Sequence, residues 1–189
     1  MRVLSAPAAT RRAALRRVAL GLALMAAAAA IPARAAPGGA EYRIKAAFLY
    51  KFLSYVEWPP GALPDGPLVI GVIGPESVAA ELRQVTAGQS VNGHPVSVQQ
   101  LAGSDTVADV HVLFLAGKEG DSPTDELATA RGQPVLTITE SDIDAGAVIN
   151  FVVVDDRVRF DIALPAADAN QLKISARLLN VARRVVPRR

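Results

Sequence analysis

Six of the nine aromatic residues in this 189-residue chain fall in one stretch, "EYRIKAAFLYKFLSYVEWPP", Glu41 to Pro60. They are Tyr42, Phe48, Tyr50, Phe52, Tyr55 and Trp58. A segment this rich in rings must be covered, because each ring removes a large apolar area from water when buried. No Gly or Pro interrupts Glu41 to Trp58, and the apolar residues recur with a helical period. Tyr42, Ala46, Leu49, Leu53 and Val56 share one face, Phe48, Phe52 and Tyr55 widen it, and Arg43, Lys51, Ser54 and Glu57 take the remaining arc. So narrow a polar arc predicts a helix over 41–58 covered by protein. A membrane-surface helix has a broad cationic face instead. Pro59 and Pro60 are expected to end the helix, with Trp58 its member nearest the surface.

The segment cannot bury itself, so the rest of the chain must supply a partner layer. "PLVIGVIG" is a short apolar, β-branched run, and Gly74-Pro75-Glu76-Ser77 leads from it into a helix, "ESVAAELRQV". "VNGHPVSVQQL" reads as strand around an Asn92-Gly93 turn. Further strands are expected at Val110–Leu115 and Val135–Thr139, with a polar helix near 122–131 between them and a short helical turn from Ser141. "AVINFVVVDDRVRFDIAL" reads as a hairpin turning at Asp155-Asp156. In its second arm Val158, Phe160 and Ile162 point one way, and Arg157, Arg159 and Asp161 the other. The C-terminal part predicts a turn or two of helix from Pro165, a break at "QLKI", and a helix "ARLLNVARRVV" capped by Ser175. The basic end "RRVVPRR" is expected to be the solvated terminus of that helix. The fold class is therefore α/β: a layered single domain with a mixed, mostly parallel sheet, helices on its faces and a C-terminal antiparallel hairpin.

The first 36 residues differ in kind. "MRVLSAPAATRRAALRR" is basic, "VALGLALMAAAAAI" is apolar, and "PARAA" offers small residues, the order of an export leader. The apolar run is shorter than the roughly 20 residues a bilayer span needs. Residues 1–36 are read as a signal peptide cleaved near Ala35/Ala36, and 37–189 as one exported domain. A general leader and a twin-arginine leader both stay open. The leader holds six of the twenty basic residues and none of the eighteen acids, so the mature formal charge is −4. That charge speaks against a nucleic-acid partner, which needs a basic face.

"EYRIKAAFLYKFLSYVEWP" just after a leader, "LVIGVIG", and "INFVVVDDRVRFDIALPAADANQLKISARLLNVARRV" together resemble the YfiR-like periplasmic regulators, in order, spacing and length. The resemblance spans almost all of 41–186. It implies a periplasmic repressor that binds the sensor part of an inner-membrane diguanylate cyclase. It also implies release by a peptidoglycan-associated outer-membrane lipoprotein, and so control of cyclic di-GMP and biofilm. Characterised members carry disulfides tied to redox sensing, whereas this chain has no cysteine, which excludes thiol-dependent control here.

Partner surfaces favour aromatic and Arg anchors. Glu57, Trp58 and Pro59 form one candidate patch. Arg157, Arg159 and Asp161, with Lys173 of "KIS" beside them, form another, set against the reading of a charge-protected edge strand. Asn150, inside an apolar strand, is expected to satisfy a nearby backbone group, with recognition as its other reading. Self-association through the hairpin edge or the aromatic helix stays open as a homodimer. The alternative function is a periplasmic small-molecule binder. If the strands are parallel, Gly74, Glu76, Ser77, Lys118 and Ser141 converge at their carboxyl ends, where an anion or metabolite is commonly held.

No catalytic set, cofactor or metal is expected, and the protein is read as a non-enzyme. There is no G-x-S-x-G or P-loop, and two histidines without cysteine leave little for zinc. His94 follows a turn, and His111 is expected to be a hydrogen-bonded core histidine. Asp155-Asp156 and Asp142/Asp144 lack calcium-loop spacing.

Overall fold

The aromatic segment does become a helix, α1 (Gly39–Phe52), in the computed structural model of the chain. The structure describes residues 39–63, 65–102, 107–117, 124–141 and 146–188. Residues 1–36, read above as a leader, Lys118, and the part of the expected turn that follows Ser141, with Asp142 and Asp144, lie outside them.

α1 ends at Phe52, not at the prolines, with six residues between them. Ser54 N–H donates to the Lys51 carbonyl and Tyr55 N–H to the Phe52 carbonyl, which tightens the chain out of the helix. β1 (Val56–Glu57) then pairs antiparallel with β9 (Lys173–Ile174), and Ser175 N–H donates to the Tyr55 carbonyl. Leu53 and Val56 are still buried as expected, though from extended backbone rather than helix. "QLKI" is accordingly no mere break, since it supplies this second strand.

The main sheet has eight strands in the order β10-β8-β7-β6-β5-β2-β4-β3. Its centre is parallel: β2 (Leu68–Ile73) lies between β4 (His94–Gln100) and β5 (Val112–Leu115), and β5 pairs with β6 (Leu136–Thr139). β7 (Ile149–Val154) joins β6 in parallel and turns back antiparallel as β8 (Arg157–Ala163). Asp155 and Asp156 both adopt positive φ, the conformation a two-residue hairpin turn requires. Asn92 and Gly93 do the same between β3 (Ser90–Val91) and β4. The mixed, mostly parallel sheet with an appended hairpin is thus the expected fold class.

One face of the sheet carries α1 and α2 (Glu76–Thr86), and the other is packed around Val69, Leu113, Leu115, Val135 and the α3 (Thr124–Ala130) residues Leu127 and Ala130. On the first face all five phenylalanines of the chain meet. Phe52 lies edge-on to Phe160 with ring centroids 4.8 Å apart and stacks on Phe151 at 5.8 Å. Phe48 and Phe114 complete the cluster. At the end of β2, Gly74 has φ +143°, and a Cβ there would stand 2.3 Å from the Ala116 carbonyl oxygen, so only glycine fits this turn.

The C-terminal helix is much shorter than expected. α4 (Leu164–Ala169) follows β8 directly, and Ser175 caps α5 (Ala176–Leu179) through the Arg177 N–H. The chain then forms β10 (Arg184–Val186), parallel to β8 at the sheet edge, instead of a helix terminus. Tertiary pairing overrides a helical pattern here, helped by the β-branched Val185 and Val186.

Phe52→Ala, which empties the centre of the phenylalanine cluster, is expected to cost about 3–5 kcal/mol. Urea denaturation followed by circular dichroism measures the loss, and a cost below about 1 kcal/mol contradicts this assignment of the core.

Candidate functional site

The β7–β8 hairpin is buried at its base and bare at its outer half. Ile149, Asn150 and Phe151 are buried, whereas Val153 and Val154 are 52% and 38% exposed. In the returning strand Arg157 and Arg159 are exposed, and from Phe160 onward the chain is covered. Val154 stands opposite Arg157 and Val152 opposite Arg159, so valines flank the arginine stems. Val154, Asp155, Arg157, Arg159 and Arg183 line an open cavity of about 330 Å³. Among the described residues neither Arg157 nor Arg159 makes an ion pair.

Asp161 does not belong to that exposed row. The strand alternation is as expected, but the sheet closes over this position and leaves Asp161 1% exposed. Its carboxylate accepts from Arg183, with Nε at 2.8 Å from Oδ1 and Nη2 bonded to Oδ2, and Arg183 N–H donates to the Phe160 carbonyl at 2.8 Å. Sequence reasoning missed Arg183 because its side chain is brought here by the β8–β10 pairing. Asn150 stands opposite both Asp161 and Thr139. Its Oδ1 accepts from the Thr139 hydroxyl rather than from a backbone group, and its Nδ2 has no partner among the described residues.

Glu57, Trp58, Pro59 and Lys173 are brought together in the small β1–β9 ribbon. Glu57 stands directly opposite Lys173, and both are exposed. Trp58 sits beyond the strand rather than at a helix end, half-buried against the core, its indole Nε1 without a partner among the described residues. The extended backbone at Trp58 follows from Pro59, which disfavours helix in the residue before it.

The carboxyl ends of β2, β5 and β6 do converge, since these strands are parallel. Gly74 accepts from Gln100 Nε2 at 2.9 Å, Glu76 is engaged by Arg83 at 2.5 Å, and Ser77 is exposed. Ser141 is buried, and its hydroxyl lacks a partner among the described residues. Between these turns lies a buried charge cluster that sequence reasoning missed. Glu140 accepts from Lys45 Nζ at 2.7 Å, from Gly117 N–H at 3.2 Å and from the Tyr42 hydroxyl at 3.4 Å. Lys45 also holds Glu41, one helical turn earlier. The backbone donor at Gly117 therefore already serves the protein's own carboxylate. The signal was in the sequence: Lys45 lies between Tyr42 and Leu49 on the apolar face of α1.

Burial raises the Glu140 pKa, and Lys45 and the Gly117 N–H only partly oppose it. Burial alone would lower Lys45, but hydrogen bonds to Glu140 and Glu41 outweigh it and hold the ammonium above its ordinary value. Burial therefore decides the direction at Glu140, whereas two carboxylate partners decide it at Lys45. His111 is a satisfied core histidine, as expected: its Nδ1 accepts from Val69 N–H at 3.0 Å, and burial first, then His94, lowers its pKa. His94 Nδ1 lies 3.0 Å from the Gly66 carbonyl and donates to it. Among the described residues no group of three or more acidic or histidine side chains is placed to hold a metal, and no helix is long and apolar enough to cross a membrane.

The class these features define is a mixed α/β domain whose buried titratable groups serve its own packing and whose hairpin carries into solvent two cations with no ion pair among the described residues. The chain belongs to the YfiR/HmsC-like family, DUF4154, whose model matches residues 42–183. That family is one of periplasmic regulatory proteins associated with cyclic di-GMP signalling. None of the curated proteins matches the chain.

Lys45→Met leaves Glu140 buried without its cation and is expected to cost about 3–5 kcal/mol at neutral pH. The loss is expected to shrink as pH falls and Glu140 takes a proton; urea titrations at neutral and acidic pH measure both effects, and a pH-independent loss contradicts the pairing. For His111 the folded state disfavours the charged ring, so its stability contribution is full above about pH 6.5 and is lost below it. His111→Asn retains an acceptor for Val69. It is expected to remove up to about 1.4 kcal/mol per pH unit from the acid slope of unfolding free energy.

Proposed function

We propose that the protein is a stoichiometric periplasmic repressor. It binds the periplasmic part of a membrane-bound signalling protein, a diguanylate cyclase, and so lowers cyclic di-GMP and restrains biofilm formation. The observation that carries the reading is the outer half of the hairpin, where Arg157 and Arg159 make no ion pair among the described residues and stand beside the exposed Val154. Exposed valine with arginine anchors is the composition of a protein-binding surface. The β1–β9 ribbon, with Glu57, Trp58, Pro59 and Lys173, is the second contact region of the same proposal, and the buried Asn150 and Asp161 support the hairpin from beneath.

Repression needs only differential affinity. To carry a two-state sensor from mostly active to mostly inactive, the repressor must favour the inactive state by about 10⁴-fold. An outer-membrane, peptidoglycan-associated lipoprotein that competes for the repressor reverses this by mass action. A homodimer is compatible with either role. Small-molecule binding at the strand ends has one observation in its favour, the buried hydroxyl of Ser141, which has no partner among the described residues. Against it, Glu140 already takes the Gly117 N–H.

Deleting the gene is expected to raise cyclic di-GMP, and the wild-type gene to restore it. The R157E/R159E variant is expected to accumulate as a folded exported protein without restoring repression. Unchanged nucleotide on deletion refutes the repressor.

A further inference from the structure

The hairpin cavity also indicates the chemistry of what docks there. We propose that the partner offers an extended acidic segment, with carboxylates on every second residue, to Arg157, Arg159 and Arg183. This rests on the reading of the hairpin as the partner surface.

The argument starts from charge. The mature chain is acidic overall, yet the cavity is lined by three guanidiniums and one carboxylate, Asp155. Asp156 lies in the exposed turn outside this lining, and Asp161 is buried beneath it and taken by Arg183 Nε and Nη2. Arg183 keeps Nη1 without an acceptor among the described residues, and its backbone is pinned by the Phe160 carbonyl. Its guanidinium is therefore held in place before any partner arrives, which reduces the ordering cost of binding. Arg157 and Arg159 have no ion-pair partner to give up among the described residues.

Spacing then selects the form of the ligand. Arg157 and Arg159 are two residues apart on one strand, so their stems emerge about 7 Å apart. A bidentate pair uses both oxygens of a carboxylate on one guanidinium fork, so filling both forks in this way takes one carboxylate per arginine. An extended chain repeats its side chains at the same interval and sets one carboxylate against each arginine. Val154 opposite Arg157 and Val152 opposite Arg159 give such a chain an apolar strip beside the arginine row. The cavity is also open, and its lining is mostly charged, whereas small-molecule pockets enclose their ligand within a largely apolar wall.

The test uses the purified exported protein and two short, end-blocked, fluorescent peptides, one with glutamate at every second position and the other with glutamine there. The glutamate peptide is expected to bind in a fluorescence anisotropy titration, at least about tenfold more tightly than the glutamine peptide. Its affinity is expected to fall as salt rises, and R157Q/R159Q is expected to lose about tenfold or more with its melting temperature unchanged. Equal binding of the two peptides, or no effect of R157Q/R159Q, overturns the proposal. Displacement of the glutamate peptide by inorganic phosphate at concentrations where chloride of equal ionic strength has no effect also overturns it, by showing a small-anion site. Failure of peptide binding with the repression phenotype of R157E/R159E intact removes this inference alone. No change in cyclic di-GMP on deletion removes the underlying reading.

Discussion

The contact on which the rest of the fold depends is the meeting of Phe48 and Phe52 from α1 with Phe151 and Phe160 from the two arms of the hairpin. It joins the first helix to the far side of the sheet, across about a hundred residues of chain, with no disulfide to assist. Each ring buries a large apolar area, and edge and offset contacts add about 0.5–1.5 kcal/mol per pair. The cluster lies under the hairpin base, and Phe151 and Phe160 stand opposite one another in its register. A one-residue slip of that register would turn one of the two rings away from the core. The register that buries the rings also puts Arg157 and Arg159 on the opposite face. One hydrophobic constraint therefore fixes both the core and the charged surface.

Much of this was legible because it follows from local periodicity. The alternation of Val158, Phe160 and Ile162 against Arg157, Arg159 and Asp161 gave the two faces of β8 correctly. The Asp155-Asp156 turn and the parallel central strands were equally readable. Periodicity could not say how far each face is covered, and there the reading of Asp161 failed. An aspartate in an alternating strand resembles its exposed neighbours until β10 is laid beside it. β10 itself was hidden because "ARLLNVARRVV" satisfies a helical pattern, and only pairing with Asp161–Ala163 makes an edge strand the better solution. The early end of α1 has the same origin, since β1 gains backbone partners in β9 that a continued helix would not have used.

Two buried polar groupings occupy opposite positions in this scheme. At the strand ends, Lys45 is surrounded by Glu41, Glu140 and the ring of Tyr42, so the cation is satisfied wholly from within the domain. It ties α1 to the loops after β5 and β6 at the place where open α/β sheets usually receive a ligand. Beneath the hairpin, Thr139, Asn150 and Asp161 stand in one row across β6, β7 and β8. That row ends on Arg183, which is half exposed. The first grouping closes a surface, whereas the second delivers a fixed charge to one. The site was therefore hard to read from sequence: its two outer arginines were visible as an alternating pair, but the third depends on a contact 22 residues distant.

A hairpin rooted in a rigid core suits a protein that acts by contact. Its buried half resists bending, because any tilt would disturb the phenylalanine packing and the Asp161–Arg183 pair together. Its outer half carries little that other parts of the domain require, so its charges are free to be set by a partner. In a chain without cysteine, neither half can be altered by thiol chemistry. On the proposed reading, control comes from what binds the surface and how tightly, and a surface built on adjacent arginines would answer to competing acidic partners through their charge and spacing.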